Sequence, residues 1–380
     1  MGRRGNKEGS IYKRKDGRWC AYVTMDGHRV QKYSKTKSVC AKWLKETLTQ
    51  IDQGLTIRGT QYTVQTYLEE WLVSIKSSLR KNTWLQYKQN TYLHIIPFLG
   101  EIKLKDLRPD QIQSLYNSKQ KNNIGAATIR ISHAILHKSL NQAVKWGLMG
   151  RNPADAVTRP RETKHEMSVL NLEQVKSLLS FLVGSRFEAL YYLALTTGLR
   201  EGELLGLKWN DLDWGSSRLQ IKRQLQRIPH EGLHLVEPKS KAGRRAITLG
   251  YQAVEKLRGH NELQQKERLF AGERWQENDL IFPSTIGTPM EPRNLIRFHD
   301  ETLAKIGLPP IRFHDLRHTA ATLMLLQGTN PKIVQERLGH ASIQLTMDTY
   351  SHVLPDMQSD IANRMDALLT PIPVSLTPKK

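Results

Sequence analysis

At 380 residues the chain is long enough for two or three domains with substantial cores, and its formal net charge of +21 and isoelectric point near 9.9 indicate a polyanionic partner. No apolar run approaches the length of a membrane span, and the first ten residues lack the apolar stretch of a secretory signal, so we expect a cytosolic protein without a membrane partner. Cys20 and Cys40 are too few for a disulfide framework or a cysteine zinc site, and both are expected to be packing residues.

Residues 1–56 are predicted to form a small separate module. The stretch "GSIYKRKDGRWCAYVTMDGHRVQKYSKT" alternates polar and apolar residues around two Asp-Gly pairs, which predicts three short strands, and "KSVCAKWLKETLTQID" predicts an amphipathic helix. Its sheet is rich in Lys and Arg and carries Trp19 and Tyr22, a combination that suits a DNA groove. The alternative is a solvated basic face on a folding cap.

Residues 62–157 are predicted to be helical. Four segments have apolar residues at helical spacing and polar, Pro or Gly boundaries. They are "TVQTYLEEWLVSIKSS", "KNTWLQYKQNTYLHIIPFLG", "RPDQIQSLYNSKQ" and "GAATIRISHAILHKSLNQAVKWGLM". Basic residues at their polar positions are candidates for phosphate contacts, although exposed lysines on helices are more often simply solvated. These candidates are Lys81, Arg130, Lys138 and Lys145.

A third domain is predicted over 168–370, followed by a tail of residues 371–380. Its stretch "FEALYYLALTTGLREGELLGL" reads as an apolar helix, a turn at Gly198, and Arg200 at the start of the next turn. An arginine directly after a buried helix and a glycine is held in position. Glu203 follows three residues later, and the alternative interpretation of this pair is a purely structural salt bridge.

Strand-like runs "SSRLQIKRQLQRI", "GLHLVEP" and "RRAITL" come next, which predicts a small antiparallel sheet. The connecting tip "KSKAG" presents Lys239 and Lys241. Arg244 and Arg245 are predicted to contact phosphate or to lie on a strand face.

Unusual chemical groups gather between residues 314 and 350. The run from His314 to Leu326 lacks Gly and Pro, so a helix should begin near His314 and place Arg317 on the same face. A helix N-terminus with these side chains suits an anion such as phosphate. "NPKIVQERLG" predicts a second helix that ends at Gly339, directly before His340, and Tyr350 follows on a short helix or turn.

A tyrosine near two histidines and an arginine suggests nucleophilic attack on phosphorus, with the cations stabilising charge on the phosphoryl oxygens. The whole pattern resembles the catalytic signature of the tyrosine recombinases, the phage-integrase family. The matches are His-x-x-Arg at His314 and Arg317, "LGH" ending at His340, the nucleophile at Tyr350, and the first arginine motif with its supporting acidic residue at Arg200 and Glu203.

The resemblance implies a mechanism without metal or cofactor. Tyr350 would attack the scissile phosphodiester to give a 3′-phosphotyrosyl link and a free 5′ hydroxyl. Arg200 and Arg317 would hold the non-bridging oxygens, His314 would assist proton removal from Tyr350, and His340 would add a hydrogen bond to the phosphate.

In the family a lysine on a hairpin turn protonates the departing 5′ oxygen. The "PKSK" context favours Lys239 for this role, with Lys241 the runner-up.

The implied fold class is multidomain α+β: an arm-type DNA-binding module with a three-stranded sheet plus a helix, a four-helix core-binding domain, and a mainly α catalytic domain with a small antiparallel sheet. The implied partners are double-stranded DNA attachment sites of core and arm types, further copies of the chain in a homotetramer on two duplexes, a DNA-bending host factor and an excisionase. The implied activity integrates or excises a mobile element such as a phage genome.

Three other functions are compatible with parts of this pattern. A metal-dependent hydrolase is disfavoured because the helix offers "HDLRH" rather than HExxH, with an arginine between the histidines that would repel a divalent ion. A type IB topoisomerase shares the tyrosine chemistry, but the arm-like module argues for a site-specific enzyme. A DNA-binding protein of the same fold without activity would be expected to lack one of the catalytic groups.

Overall fold

The computed structural model describes residues 9–25, 28–52, 61–161, 168–238 and 241–344, together with positions 347, 365, 366 and 369. Its contacts divide the chain into two compact units, Met1–Lys164 (unit 1) and His165–Lys380 (unit 2). The predicted turn at Asp26 and the predicted C-terminal tail lie outside the described residues. No helix in the described part of the chain is both long and apolar enough to span a membrane.

Unit 1 begins with the predicted three-stranded sheet and helix. The elements are β1 (Ser10–Lys13), β2 (Trp19–Met25), β3 (His28–Ser34) and α1 (Lys37–Asp52). The sheet is antiparallel in the order β1-β2-β3, and α1 packs on it. Cys20 and Cys40 are buried there, as expected of packing residues. The guanidinium of Arg29 lies 3.5 Å from the ring centre of Tyr22, so basic and aromatic side chains meet on this sheet.

The rest of unit 1 is helical. Its helices are α2 (Val64–Ser74), α3 (Lys81–Asn90), α4 (Ile96–Leu99), α5 (Pro109–Lys121) and α6 (Ala126–Lys145). A π-helical turn, Thr91–Ile95, connects α3 to α4, whose second residue is Pro97; the ring nitrogen of Pro97 cannot donate a helical hydrogen bond. Trp71, Tyr67 and Tyr116 are fully buried in the shared core, which draws on all four predicted segments.

The described residues of unit 2 are mainly helical and include two small sheets. Its helices are α7 (Leu172–Phe181), α8 (Glu188–Thr197), α9 (Glu201–Leu205), α10 (Tyr251–Ala271), α11 (Pro292–Lys305), α12 (Asp315–Leu326) and α13 (Pro331–Leu338). Its strands are β4 (Leu212–Asp213), β5 (Arg218–Ile221), β6 (Gln224–Ile228), β7 (Gly232–Val236) and β8 (Arg245–Thr248). Asn171 and Gln174 form the reciprocal cap of α7 that their spacing predicts.

The small antiparallel sheet predicted for unit 2 is present, but the predicted runs are divided between it and a separate hairpin. The described strands form one antiparallel sheet in the order β4-β5-β8 and a separate β6-β7 hairpin. The break falls at Lys222 and Arg223, inside the first predicted run, and both side chains pair there with the buried carboxylate of Asp211. β7 and β8 therefore belong to different sheets, and the tip between them does not close a hairpin.

Helix α8 is the centre of unit 2 and positions the site. It packs against α10 and α12, and most of its side chains are buried. It ends at Gly198, whose φ of +66° is left-handed. A Cβ built on Gly198 would lie 2.3 Å from Leu338 Cδ2, so this turn requires glycine for its conformation and for the close approach of α13.

Replacing Gly198 by Ala should therefore lower the free energy of unfolding of unit 2 by about 2–4 kcal/mol, because left-handed strain adds to steric overlap. Gly184→Ala is the matched control: φ is +74° there, and nothing lies within 4 Å of the added Cβ. That control should lose only about 1 kcal/mol. Urea unfolding of both variants measures the difference, and equal losses would contradict the assignment of a contact effect at Gly198.

Candidate active site

Arg200 stands at the start of α9, held by the carboxylate that follows it. Its backbone N–H donates to Glu203 Oε2 at 3.1 Å, and its Nη1 donates to Glu203 Oε1 at 2.9 Å. Glu203 is 1% exposed, whereas the Arg200 side chain is about one-third exposed. The salt bridge considered in the sequence analysis is thus present, and it leaves part of the guanidinium facing solvent.

His314 and Arg317 occupy the first turn of α12, as predicted. Arg317 is only 3% exposed, and its Nη1 donates to the carbonyl oxygen of Gly198 at 2.7 Å. This bond ties α12 to the turn that carries Arg200. Arg200 follows Gly198 by two residues, so this bond connects two arginines that are far apart in the sequence.

His340 follows the turn that ends α13. Asn330 caps the start of this helix, its side chain accepting from the N–H of Lys332, and Gly339 ends it with a φ of +70°. The His340 backbone is held on both sides, because its N–H donates to Gln335 O at 3.1 Å and its carbonyl accepts from Gln335 Nε2 at 2.7 Å. The histidine is 7% exposed, and the positive charges of Arg317 and Arg200 act on its ring.

Both histidines are uncharged at neutral pH. Removal of water from its ring, reinforced by the charges of Arg317 and Arg200, lowers the pKa of His340 to about 4. Loss of hydration around the ring, with His318 and Arg317 beside it, also lowers the pKa of His314 to about 4. The site therefore combines two permanent positive charges with two neutral imidazoles, which can accept or donate protons.

The lowered pKa of His340 predicts that the folded state of unit 2 becomes less stable in acid. The unfolded histidine takes up a proton near pH 6.5 but the folded one only near pH 4, so stability should fall as the pH drops through this window. One such group contributes about 1.4 kcal/mol per pH unit. His340→Gln should flatten the dependence of unit 2 unfolding on pH between 4.5 and 6.5, measured by urea denaturation, and an unchanged slope would refute the burial argument.

Of the two alternatives predicted for Arg245, a phosphate contact or a position on a strand face, the structure shows the second, on the inward face of β8. Its side chain is 8% exposed and binds Glu203 through both terminal nitrogens, Nη1 to Oε1 at 3.2 Å and Nη2 to Oε2 at 3.0 Å. Arg244 pairs instead with Glu237 at the surface. The sequence contained one signal that Arg245 would be buried. Arg245 is two residues from Ile247 in β8, so both side chains lie on the core-facing side of the strand.

His318 is a second residue that sequence reasoning did not assign. Its ring centre lies 5.3 Å from that of His314, nearly perpendicular to it. Position 318 is four residues after 314, so the helical repeat that placed Arg317 on this face also places His318 there.

Two of the predicted catalytic residues, Lys239 and Tyr350, lie outside the described residues. Lys241 begins a 3₁₀ turn, Lys241–Gly243, directly before β8. Ala242 in this turn lies close to the α13 end, since a Cβ built on Gly339 would be 2.8 Å from its carbonyl oxygen. The segment that follows the lysine tip is therefore packed beside the turn that carries His340.

Comparison with known proteins decides the family. The model of the phage integrase family matches residues 168–357, half of the chain, and the model of the N-terminal SAM-like domain of phage integrases matches residues 63–120. The chain belongs to the phage integrase family. It is accordingly a site-specific tyrosine recombinase, and the four described residues of the predicted site lie within the matched region.

Individual relatives agree with this family. A "Tyrosine recombinase XerC-like" protein of Caldanaerobacter subterraneus is 28% identical over 360 residues, covering 90% of this chain and 92% of the relative. Among solved structures, the Tn1549 transposon integrase in complex with a circular intermediate DNA has a TM-score of 0.68 at 21% identity, covering 80% of this chain and 100% of that chain. A lambda integrase tetramer bound to a Holliday junction has a TM-score of 0.56 at 19% identity, covering 87% and 95%. These structures share the integrase fold.

Proposed function

We propose that the chain cuts and rejoins DNA at specific sites through a 3′-phosphotyrosyl intermediate, and so integrates or excises a mobile element such as a phage genome. The observation that carries the proposal is the convergence of Arg200, Arg317, His314 and His340. Both arginines lie close enough to His340 to depress its pKa. The charges of Arg200 and Arg317 also act on His314, which supports the proposal that these four groups from three separate segments bind one phosphodiester.

The two arginines hold the non-bridging oxygens of the scissile phosphate. A guanidinium presents a planar fork of donors, which can clamp a phosphoryl group as charge develops in the transition state. Arg317 is fixed by its bond to the Gly198 carbonyl, and Arg200 by Glu203. Both donors are therefore oriented before DNA arrives, which lowers the reorganisation needed during the reaction.

The proton transfers involve the uncharged side chains and a lysine. The Tyr350 oxygen forms the bond to phosphorus and loses its proton to His314, whose imidazole is uncharged at neutral pH. The P–O5′ bond breaks, and Lys239 or Lys241 supplies the proton that makes the 5′ hydroxyl. His340 donates a hydrogen bond to a non-bridging oxygen. Attack of another strand's 5′ hydroxyl reverses these steps and rejoins DNA.

The remaining parts of the chain bind DNA and other protomers. Residues 1–56 act as the arm-type module, 62–157 as a four-helix core-binding domain, and 168–370 as the catalytic domain, with a tail at 371–380. The partners are core and arm attachment sites, a homotetramer on two duplexes, a DNA-bending host factor and an excisionase. The fold shared with the lambda integrase tetramer on a Holliday junction supports this assembly. Because its substrate is DNA, the protein works in the bacterial cytoplasm and is nucleoid-associated when bound.

The test is covalent trapping on a nicked duplex that carries the core sequence from an end of the element encoding the chain. Cleavage releases the short fragment beside the nick, so rejoining is prevented and a protein–DNA adduct should accumulate on a denaturing gel. Binding without adduct would favour the inactive DNA-binding alternative. Relaxation of a supercoiled plasmid that lacks the core sequence would favour a topoisomerase.

The proton donor can be identified with a substrate whose scissile 5′ oxygen is replaced by sulfur. A thiol has a pKa near 8.5, so its thiolate leaves without protonation. Replacing the donor lysine with Ala should slow cleavage of ordinary DNA about 100- to 10,000-fold and leave cleavage of the sulfur substrate near the wild-type rate. Lys239→Ala and Lys241→Ala serve as controls for each other. If neither variant is rescued by sulfur, neither lysine is the proton donor.

A further inference from the structure

Arg245 occupies a position that its strand pattern reserves for an apolar side chain. In β8 the side chains of Ala246 and Thr248 are exposed, whereas Arg245 shares the inward side with the buried Ile247. Its side chain is 8% exposed. A buried guanidinium requires partners for its donors, because an unpaired buried charge is strongly destabilising.

The partners of Arg245 come from three separate segments. Nη1 and Nη2 bind the carboxylate of Glu203 on α9, and Nη1 also donates to the Gly243 carbonyl at 3.2 Å. Nε donates to the carbonyl of Arg337 at 2.7 Å, at the end of α13. One planar group therefore joins the turn after the lysine tip, the residue that holds Arg200, and the helix end that precedes His340.

Charge balance gives this arrangement a consequence for Arg200. With Arg200 alone, the buried carboxylate of Glu203 would neutralise the guanidinium that must bind phosphate. Arg245 supplies a second positive charge, so the three groups carry a net charge of +1. The carboxylate keeps Arg200 oriented while the cluster keeps a positive charge for an anion.

Packing couples Arg245 to His340 as well. Gly339 lies between Arg337 and His340, and a Cβ built on it would be 2.7 Å from Arg245 Nη1. The left-handed turn at Gly339 thus rests directly on the guanidinium. Movement of Arg245 would shift the turn from which His340 projects.

We infer that Arg245 is a positioning residue for strand cleavage: it compensates the charge of Glu203 so that Arg200 can bind the scissile phosphate, and it holds the turn that presents His340. This inference rests on the proposed function and adds a residue that does not itself contact DNA phosphate. It places the control of two catalytic groups in one buried side chain.

The experiment measures the rate of adduct formation in a single turnover on the nicked core duplex, beside DNA affinity and urea unfolding. Arg245→Gln should slow adduct formation about 10- to 100-fold, the loss typical when a residue that orients an active group is removed. DNA affinity should stay within about twofold, and Arg245→Lys should recover part of the rate because it restores the charge but not the paired hydrogen bonds.

Arg186 provides the matched control. It too binds a carboxylate through two nitrogens, at 2.8 and 3.0 Å from Glu267, and donates to a carbonyl, that of Pro283, but it lies at the opposite end of α8 from Gly198. Arg186→Gln should destabilise unit 2 and leave the rate of adduct formation unchanged in the folded fraction.

A double variant shows whether Arg245 acts through Glu203. Glu203→Gln removes the charge that Arg245 compensates, so adding Arg245→Gln to it should slow cleavage much less than in the wild type. The inference is overturned if the effects of the two substitutions on the cleavage rate are fully additive, or if Arg245→Gln alone forms adduct at the wild-type rate. Absence of adduct with the wild-type protein on duplex that it binds would overturn the proposed function instead, so the two failures are distinguishable.

Discussion

Replacing Tyr350 with Phe should abolish the covalent protein–DNA adduct while leaving DNA binding intact. The change removes only the phenolic oxygen, and no other atom of the side chain can form the bond to phosphorus. With an ordinary tyrosine pKa near 10, the attack depends on a base and on cationic neighbours, the roles proposed for His314 and Arg317. The measurement is a denaturing gel of the nicked core duplex after incubation with each protein.

Tyr251→Phe is the control for loss of a hydroxyl group. Tyr251 begins α10 and is 74% exposed, so its variant should form adduct at the wild-type rate. Protease digestion of the wild-type adduct followed by peptide mapping should place the DNA on Tyr350. Adduct in the Tyr350→Phe protein would assign the nucleophile to another residue.

Arg317→Lys should slow adduct formation about 100- to 1,000-fold, the range found when one donor to developing transition-state charge is removed. Lysine keeps the positive charge but lacks the planar fork, so it cannot bind both the Gly198 carbonyl and a phosphate oxygen in the same geometry. DNA affinity should change much less than the rate, because the numerous other basic residues of a chain with net charge +21 dominate binding.

The unfolding transition separates this catalytic effect from a loss of structure. Arg317 is buried, so its lysine variant should also be less stable, and rates are compared at a temperature where both proteins are folded. Arg186→Lys changes another guanidinium that donates to a backbone carbonyl and should keep the wild-type rate. Equal slowing of the two variants would mean that Arg317 acts through stability alone.

Sequence patterns predicted local structure well wherever a short-range rule applied. Helix α13 begins at Pro331 after its cap, Asn330, and ends at Gly339, as the cap and turn preferences of these residues require. Helix α8 likewise ends at Gly198. The strands of unit 2 were harder to predict, because the run over residues 216–228 divides at Lys222 and Arg223, whose partner, the buried Asp211, is known only from the folded structure.

By itself the sequence determined which chemical groups are present and in what local context: the motif around Arg200, the helix that begins at His314, and the turn before His340. Only the tertiary structure decided which groups share partners. The sequence left Arg245 as a phosphate contact or a strand-face residue, and folding placed it on Glu203 and the end of α13. The physical reason is range: helix periodicity and capping act over a few residues, whereas the partner of a buried charge is chosen by packing between segments that are distant in the chain.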